Sequence, residues 1–153
     1  MKQLLTFSEF NQRADTVDKT QIERFNKFYV TAEETYLADF MGAELVVKFK
    51  DGTYTDADTL SLIKKCLTHQ IELMFVNHGD SISTSIGLVQ RESEYSKPAE
   101  YAKVKLKIEA VLKILRSYEK QLLPLIADLT EYDGAVKPIS NNNIPYLFTS
   151  IGD

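Results

Sequence analysis

Between residues 20 and 40 apolar side chains return at Ile22, Phe25, Tyr29, Ala32, Tyr36 and Phe40. These steps of three and four stack one above another on a single helical face. Arg24, Lys27, Thr31, Glu34 and Ala38 fall on the opposite side, so the spacing predicts an amphipathic helix laid against a core. Asp18 or Thr20 can cap its start, and Gly42 stands where the periodicity stops. A second long helix is predicted over 58–77, with Asp56 or Asp58 as its cap. It carries two apolar stripes: Leu60, Ile63, Leu67, Ile71 and Met74 on one side, and Leu62, Cys66, Leu73 and Val76 almost opposite. A helix apolar on two sides is central to its fold or covered by a neighbouring subunit. Asn77-His78-Gly79 reads as its stop.

A third long helix begins after Ser96, with Pro98 tolerated in the first turn. Tyr101, Val104, Ile108, Val111, Leu115, Tyr118 and Leu122 share its apolar face. Lys105, Lys113, Arg116 and Lys120 gather on the other side around Glu109, and Leu106 falls on that polar side with no evident burial within the chain. Pro124 is expected to kink or break the helix, with 125–129 adding a turn or two.

Two stretches between these helices resist a single reading. Residues 44–50 fit a short helix returning after Gly42. They equally fit a strand, because Asp51-Gly52 is a strong hairpin turn signal and Thr53-Tyr54-Thr55 favours extended backbone. Residues 80–96 alternate at Ile82, Thr84, Ile86 and Leu88, which predicts an extended segment interrupted at Gly87. A connection of that length is uncommon in a small domain unless it contacts something. The fold class expected is therefore mainly α: a small bundle of three long helices plus short ones, with a short β-hairpin or extended loops open as an alternative at 46–55.

From residue 133 the character changes. Charge is confined to Asp133, Lys137 and Asp153, while Ile139, Ile144, Tyr146, Leu147, Phe148 and Ile151 are apolar or aromatic. Disordered tails are usually charged and poor in aromatics. The division expected is a helical domain over 1–132 and an extended arm over 133–153 that needs a surface to lie on.

Composition adds mainly exclusions. A net charge of −4 argues against a general nucleic-acid binder, which would carry a basic excess. No apolar run approaches the ~18 residues needed to span a bilayer, and Met1–Thr6 lacks the apolar stretch of a secretory signal. Cys66 alone cannot form an internal disulfide or a cysteine metal cluster.

Candidate chemistry is sparse. His69 and His78 lie on nearly opposite sides of one helix and cannot meet on one ion. Cys66 and His69 are close enough to touch, but a mid-helix thiol lacks the electropositive setting of a nucleophile. Ser81, Ser83 and Ser85 have no nucleophile elbow, and neither a P-loop nor a dinucleotide fingerprint is present. Glu33 and Glu34 read as neighbours on a helix surface. The lysine stripe, mixed with Glu109 and Glu119 and lacking interleaved aromatics, reads as a solvated face. No catalytic, cofactor-binding or metal-ligating residue is nominated, and no cofactor is expected.

The order of these features resembles the head–tail connector (adaptor) proteins of tailed bacteriophages. The points of likeness begin with the helix containing Ala32 and its ending, Tyr36-Leu37-Ala38-Asp39-Phe40-Met41-Gly42-Ala43-Glu44-Leu45. The helix over 58–76 follows, then the loop Ile86-Gly87-Leu88-Val89 and a serine-rich, acidic stretch before Pro98-Ala99. A long helix ending near Leu122 and an irregular arm complete the likeness, which covers roughly 18–130. The Asp51-Gly52 hairpin signal departs from the all-helical pattern.

The resemblance implies a structural virion protein rather than an enzyme. It would assemble in the host cytoplasm and sit at the neck as a ring, commonly a dodecamer. Its partners would be further copies of itself, the portal protein, and tail-completion or neck proteins. On this reading Ile86, Leu88, Leu106, Ile144, Tyr146, Leu147 and Phe148 meet partners. Lys105, Lys113, Arg116 and Lys120 could face the DNA channel, with weak non-specific contact at most. Membrane contact is not expected. The alternatives are a helical interaction or regulatory module of the bacterial cytoplasm and, with least support, a small helical enzyme.

Overall fold

The structure is a computed structural model, and it describes residues 2–14, 22–77 and 97–134. The fold is mainly α, and no strand occurs among the described residues. Helix α1 spans Phe7–Ala14 and α2 Ile22–Thr31; a π-helical turn, Ala32–Leu37, leads into the short α3, Ala38–Met41. Then follow α4 (Ala43–Lys50), α5 (Ala57–Asn77) and α6 (Lys97–Ile126).

Helix α1 was not anticipated from apolar spacing, but its start is a reciprocal cap. The Glu9 amide donates to Thr6 Oγ1 (3.3 Å) and the Thr6 amide donates back to Glu9 Oε2 (2.9 Å). This four-residue Thr-x-x-Glu pattern is the signal that marks it. Phe10 is fully buried and meets Phe25 and Phe75 at ring separations of 5.1 and 5.8 Å, which pins α1 across α2 and α5.

The run from α2 to α3 buries Phe25, Tyr29, Ala32, Tyr36 and Phe40, as the spacing predicts. Ile22 departs from it and is 46% exposed. It lies in the first turn, at the edge of the arc centred on Phe25, Phe28 and Tyr29. The π turn, marked by the Ala38 amide donating to the Glu33 carbonyl five residues back, adds a residue that periodicity did not reveal.

Gly42 ends α3 and opens α4 at φ +96°. A Cβ there would also stand 2.9 Å from the Asp133 backbone nitrogen, so both conformation and space call for glycine. The Asp133 amide donates to the Met41 carbonyl (3.3 Å), tying the turns after α6 to the α3–α4 junction. Asp133 and Gly134 thus pack with the helical body, although the charge pattern placed them at the start of the arm.

The open question at 43–55 resolves as helix α4, not a hairpin. Gly52 has φ +84°, and the Thr53 amide reaches back to the Lys48 carbonyl at 3.0 Å. That is the Schellman closure of a helix, with Asp51 Oδ1 accepting from the Thr53 amide at 2.8 Å. Asp-Gly here terminates α4 because Leu45, Val46 and Phe49 bury together only at helical spacing. Asp56 rather than Asp58 caps α5: its carboxylate accepts the Thr59 amide at 2.9 Å.

Helix α5 is the centre of the molecule. It packs against α6 and against α1, α2 and the π turn, and every residue from Ile71 to Val76 is buried. The two apolar stripes therefore have the first of their two expected meanings. Helix α6 runs through Pro124 to Ile126, so the proline interrupts the hydrogen-bond ladder near the end without breaking the helix earlier.

Candidate interaction surface

Helix α6 divides into three rows. Ile108, Val111, Leu115 and Leu122 are buried, as predicted. Lys105, Glu109, Lys113 and Lys120 are exposed on a second row. A third row carries Leu106, Ala110, Ile114 and Leu125 into solvent, with Leu106 66% exposed. Leu106 is thus where the sequence put it, on an open face. Ile114 and Leu125 belong to the same row and were not singled out, although their offset from the buried stripe was the same signal.

Two residues of the lysine side behave otherwise. Arg116 is half-buried, and its charge acts on Glu119. Glu119 is not a solvated partner of the stripe: it is 6% exposed, between Leu115 and Leu122, and accepts a hydrogen bond from Tyr36 Oη at 2.8 Å. Burial pushes its carboxyl above the usual range despite that bond and Arg116. Burial, then Cys66 and Glu119, likewise raises the Tyr36 phenol, and burial followed by Glu119 pushes the Cys66 thiol up to about 12. Cys66 is therefore a packed thiol beside Tyr36, with no share in a pair with His69.

His69 faces another cluster. Its ring stacks on Tyr118 at 5.6 Å, and Nδ1 lies 3.1 Å from Glu72 Oε2. Lys107 Nζ donates to the other Glu72 oxygen at 2.8 Å, both side chains being nearly closed to solvent. Burial acts to raise the Glu72 pKa, but the bonds from His69 and Lys107 outweigh it and hold the carboxyl below its ordinary value. Glu33, read as a surface acid, is half-buried and accepts from both Tyr29 and Lys50; only Glu34 is exposed. Tyr29 in turn accepts the Leu4 amide at 2.9 Å, fastening the N-terminal segment.

These polar groups fasten helices to one another. No group of three His, Cys, Asp or Glu side chains able to hold a metal ion occurs among the described residues. No helix among them is long and apolar enough to cross a membrane. Ile86, Leu88, Ile144, Tyr146, Leu147, Phe148 and His78 lie outside the described residues. Among the described residues, the outward side of α6 carries an apolar row of Leu106, Ile114 and Leu125 on the same helix as the exposed lysines, and Ile22, Val30 and Val47 are exposed on α2 and α4. Comparison of the chain with protein-family models, curated proteins and solved structures finds no match.

Proposed function

We propose that the chain is a non-enzymatic structural protein of a tailed-phage virion, an adaptor that rings the portal exit and joins it to neck or tail proteins. The observation that most supports this is the outward side of α6. A long helix whose inner face is packed carries a second, solvent-facing row of large apolar residues beside a row of lysines, the character of a surface that another protein covers. The all-helical order of α2, α5 and α6 agrees with the adaptor pattern, and α4 removes the hairpin that would have departed from it. Ile86 and Leu88 in the loop, and Ile144, Tyr146, Leu147 and Phe148 in the arm, are the contacts proposed for portal and neck. The lysines give weak, non-specific attraction to DNA passing through the ring.

Electron microscopy of assembled particles tests the placement: density for this chain in the neck is expected, and its absence from the particle overturns the proposal. Truncation after Gly134 tests the arm. The shortened protein should keep its helical circular dichroism and fail to join the portal; normal joining would remove the arm from the mechanism.

A further inference from the structure

Five of the chain's eight phenylalanines meet at the junction of α1, α2 and α5. Phe25 and Phe75 form a seat for α1, backed by Phe28, which meets Phe75 edge-on at 4.8 Å. Phe7 lies 5.4 Å from Phe25, and Phe10 lies between Phe25 and Phe75. The rest of the N-terminal segment, residues 2–14, reaches the body through few anchors. Leu4, Leu5 and Phe10 are buried and Phe7 partly so, while Lys2, Gln3, Thr6, Ser8, Gln12 and Arg13 face solvent. The Leu4 amide donates to Tyr29 Oη, and Glu9 pairs with Lys64 of α5 at a rim where the two side chains are 32% and 27% exposed. Three buried side chains must offset the backbone entropy lost by all thirteen residues, so this segment is held by a narrow margin. The other helices have packing of their own: α5 against α6, α2 and the π turn, and α4 against α3 and the π turn. Lifting α1 uncovers the aromatic seat and leaves those contacts in place.

We propose that residues 2–14 are a displaceable strap, and that the seat beneath it docks an amphipathic helix of another protein. That helix presents two aromatic side chains three residues apart and a carboxylate beside them. The specification is read from the strap itself, with Phe7 and Phe10 at i and i+3 and Glu9 reaching Lys64. Helices that dock in grooves are recognised by such anchors at helical spacing, and aromatic rings give large contact area for little lost rotamer freedom. The exposed ion pair at the rim is weak and contributes orientation, while the rings contribute buried area. The strap keeps the seat covered until a competing helix takes its place, which local opening of a short, lightly anchored element permits. The proposal stands apart from the adaptor reading, since it involves neither the outward side of α6 nor the arm.

Hydrogen exchange of the full-length wild type measures whether the strap opens alone. Amides of α1 should exchange at least about 100-fold faster than those of residues 63–74 in α5, and α1 exchange at the α5 rate overturns the proposal. Binding is read by fluorescence anisotropy with a labelled peptide of the sequence of residues 1–14. The full-length Phe10→Ala chain, its strap loosened and its seat intact, should bind this peptide at least about tenfold more tightly than the wild type, whose own strap competes. A peptide that itself carries Phe10→Ala should bind neither chain. A second chain, Lys64→Glu, repels its own Glu9 without touching the buried rings. At ~50 mM salt it should prefer a Glu9→Lys peptide over the unchanged one by at least about threefold, which locates the peptide at this seat. Circular dichroism verifies that each chain is folded. Equal binding by a folded Phe10→Ala chain and the wild type, or a Lys64→Glu chain indifferent to residue 9 of the peptide, overturns the proposal. Should Phe10→Ala fail to fold, the wild-type exchange rates and the Lys64→Glu chain decide.

Discussion

Replacing Lys107 with methionine isolates the cost of an unpaired buried charge. Lys107 and Glu72 are 6% and 8% exposed at their side chains and meet at 2.8 Å between α6 and α5. Methionine keeps the aliphatic stem packed but leaves the Glu72 carboxylate with His69, 3.1 Å from its other oxygen, in place of a lysine charge. Stranding one member of a buried pair costs about 3–5 kcal/mol, a large part of the roughly 5–15 kcal/mol by which a domain of this kind is stable. Removing both charges, Lys107→Met with Glu72→Leu, should instead fall within about 1 kcal/mol of the wild type or exceed it, because the desolvation of both ions disappears with their attraction.

Urea titration followed by far-ultraviolet circular dichroism reads both changes from the midpoint at constant slope. The pH dependence supplies an independent sign. Glu72 in the folded wild type titrates below its ordinary 4.5, so its stabilising contribution is complete above pH 4.5 and is lost as pH falls through the folded value. In the single variant the carboxylate has lost its lysine, and protonation relieves the stranded charge, so the deficit relative to wild type should shrink on acidification. A single variant within about 1 kcal/mol of wild type, or a double variant as unstable as the single one, would refute the reasoning.

Three further outcomes are expected. Glu119→Gln should raise the unfolding midpoint at pH 7, since burial lifts the folded Glu119 pKa above 4.5 and charging it there costs stability; the gain should vanish below about pH 4.5, and a less stable variant at pH 7 would contradict this. Cys66, fully buried, should react with a thiol reagent slower than a free thiol by a factor on the order of 1,000 or more, because labelling waits on opening of the fold; stopped-flow or hand-mixed kinetics read it directly. Gly42→Ala should cost about 2–3 kcal/mol in urea, from positive φ and the close Asp133 backbone, and a loss under about 0.5 kcal/mol would mean the junction yields easily.

Periodicity made the three long helices legible because each buries a stripe many turns long, and a repeated spacing survives an error at any one position. Ile22 shows its limit: the period identifies a face, but which end of that face a neighbour covers depends on packing. Asp51-Gly52 was ambiguous for a definite reason. A glycine at positive φ serves a hairpin turn and a helix C-terminus alike, and the choice is made by whether the flanking apolar residues bury at a period of two or of 3.6. The buried polar groups were the least legible. Glu72, Lys107 and Glu119 look like ordinary surface charges of amphipathic helices, and what removes them from solvent is a partner 35 or 83 positions away (Glu72 to Lys107, Tyr36 to Glu119). Leu106 was readable because it is apolar at a polar position of its own helix, a conflict visible without any neighbour.

The buried polar pairs also set where α6 crosses its neighbours. Lys107–Glu72 ties α6 to α5 at 2.8 Å, and Tyr36–Glu119 ties it to the π turn at 2.8 Å. A register shift of α6 must break close packing, as it would for any buried helix. Here it must also leave two buried carboxylates without their partners, and an interior carboxylate that loses its hydrogen bond or counter-ion costs more than a displaced leucine. The two acids therefore narrow the crossing to one register, and a helix packed by leucines alone would have lower barriers to neighbouring ones.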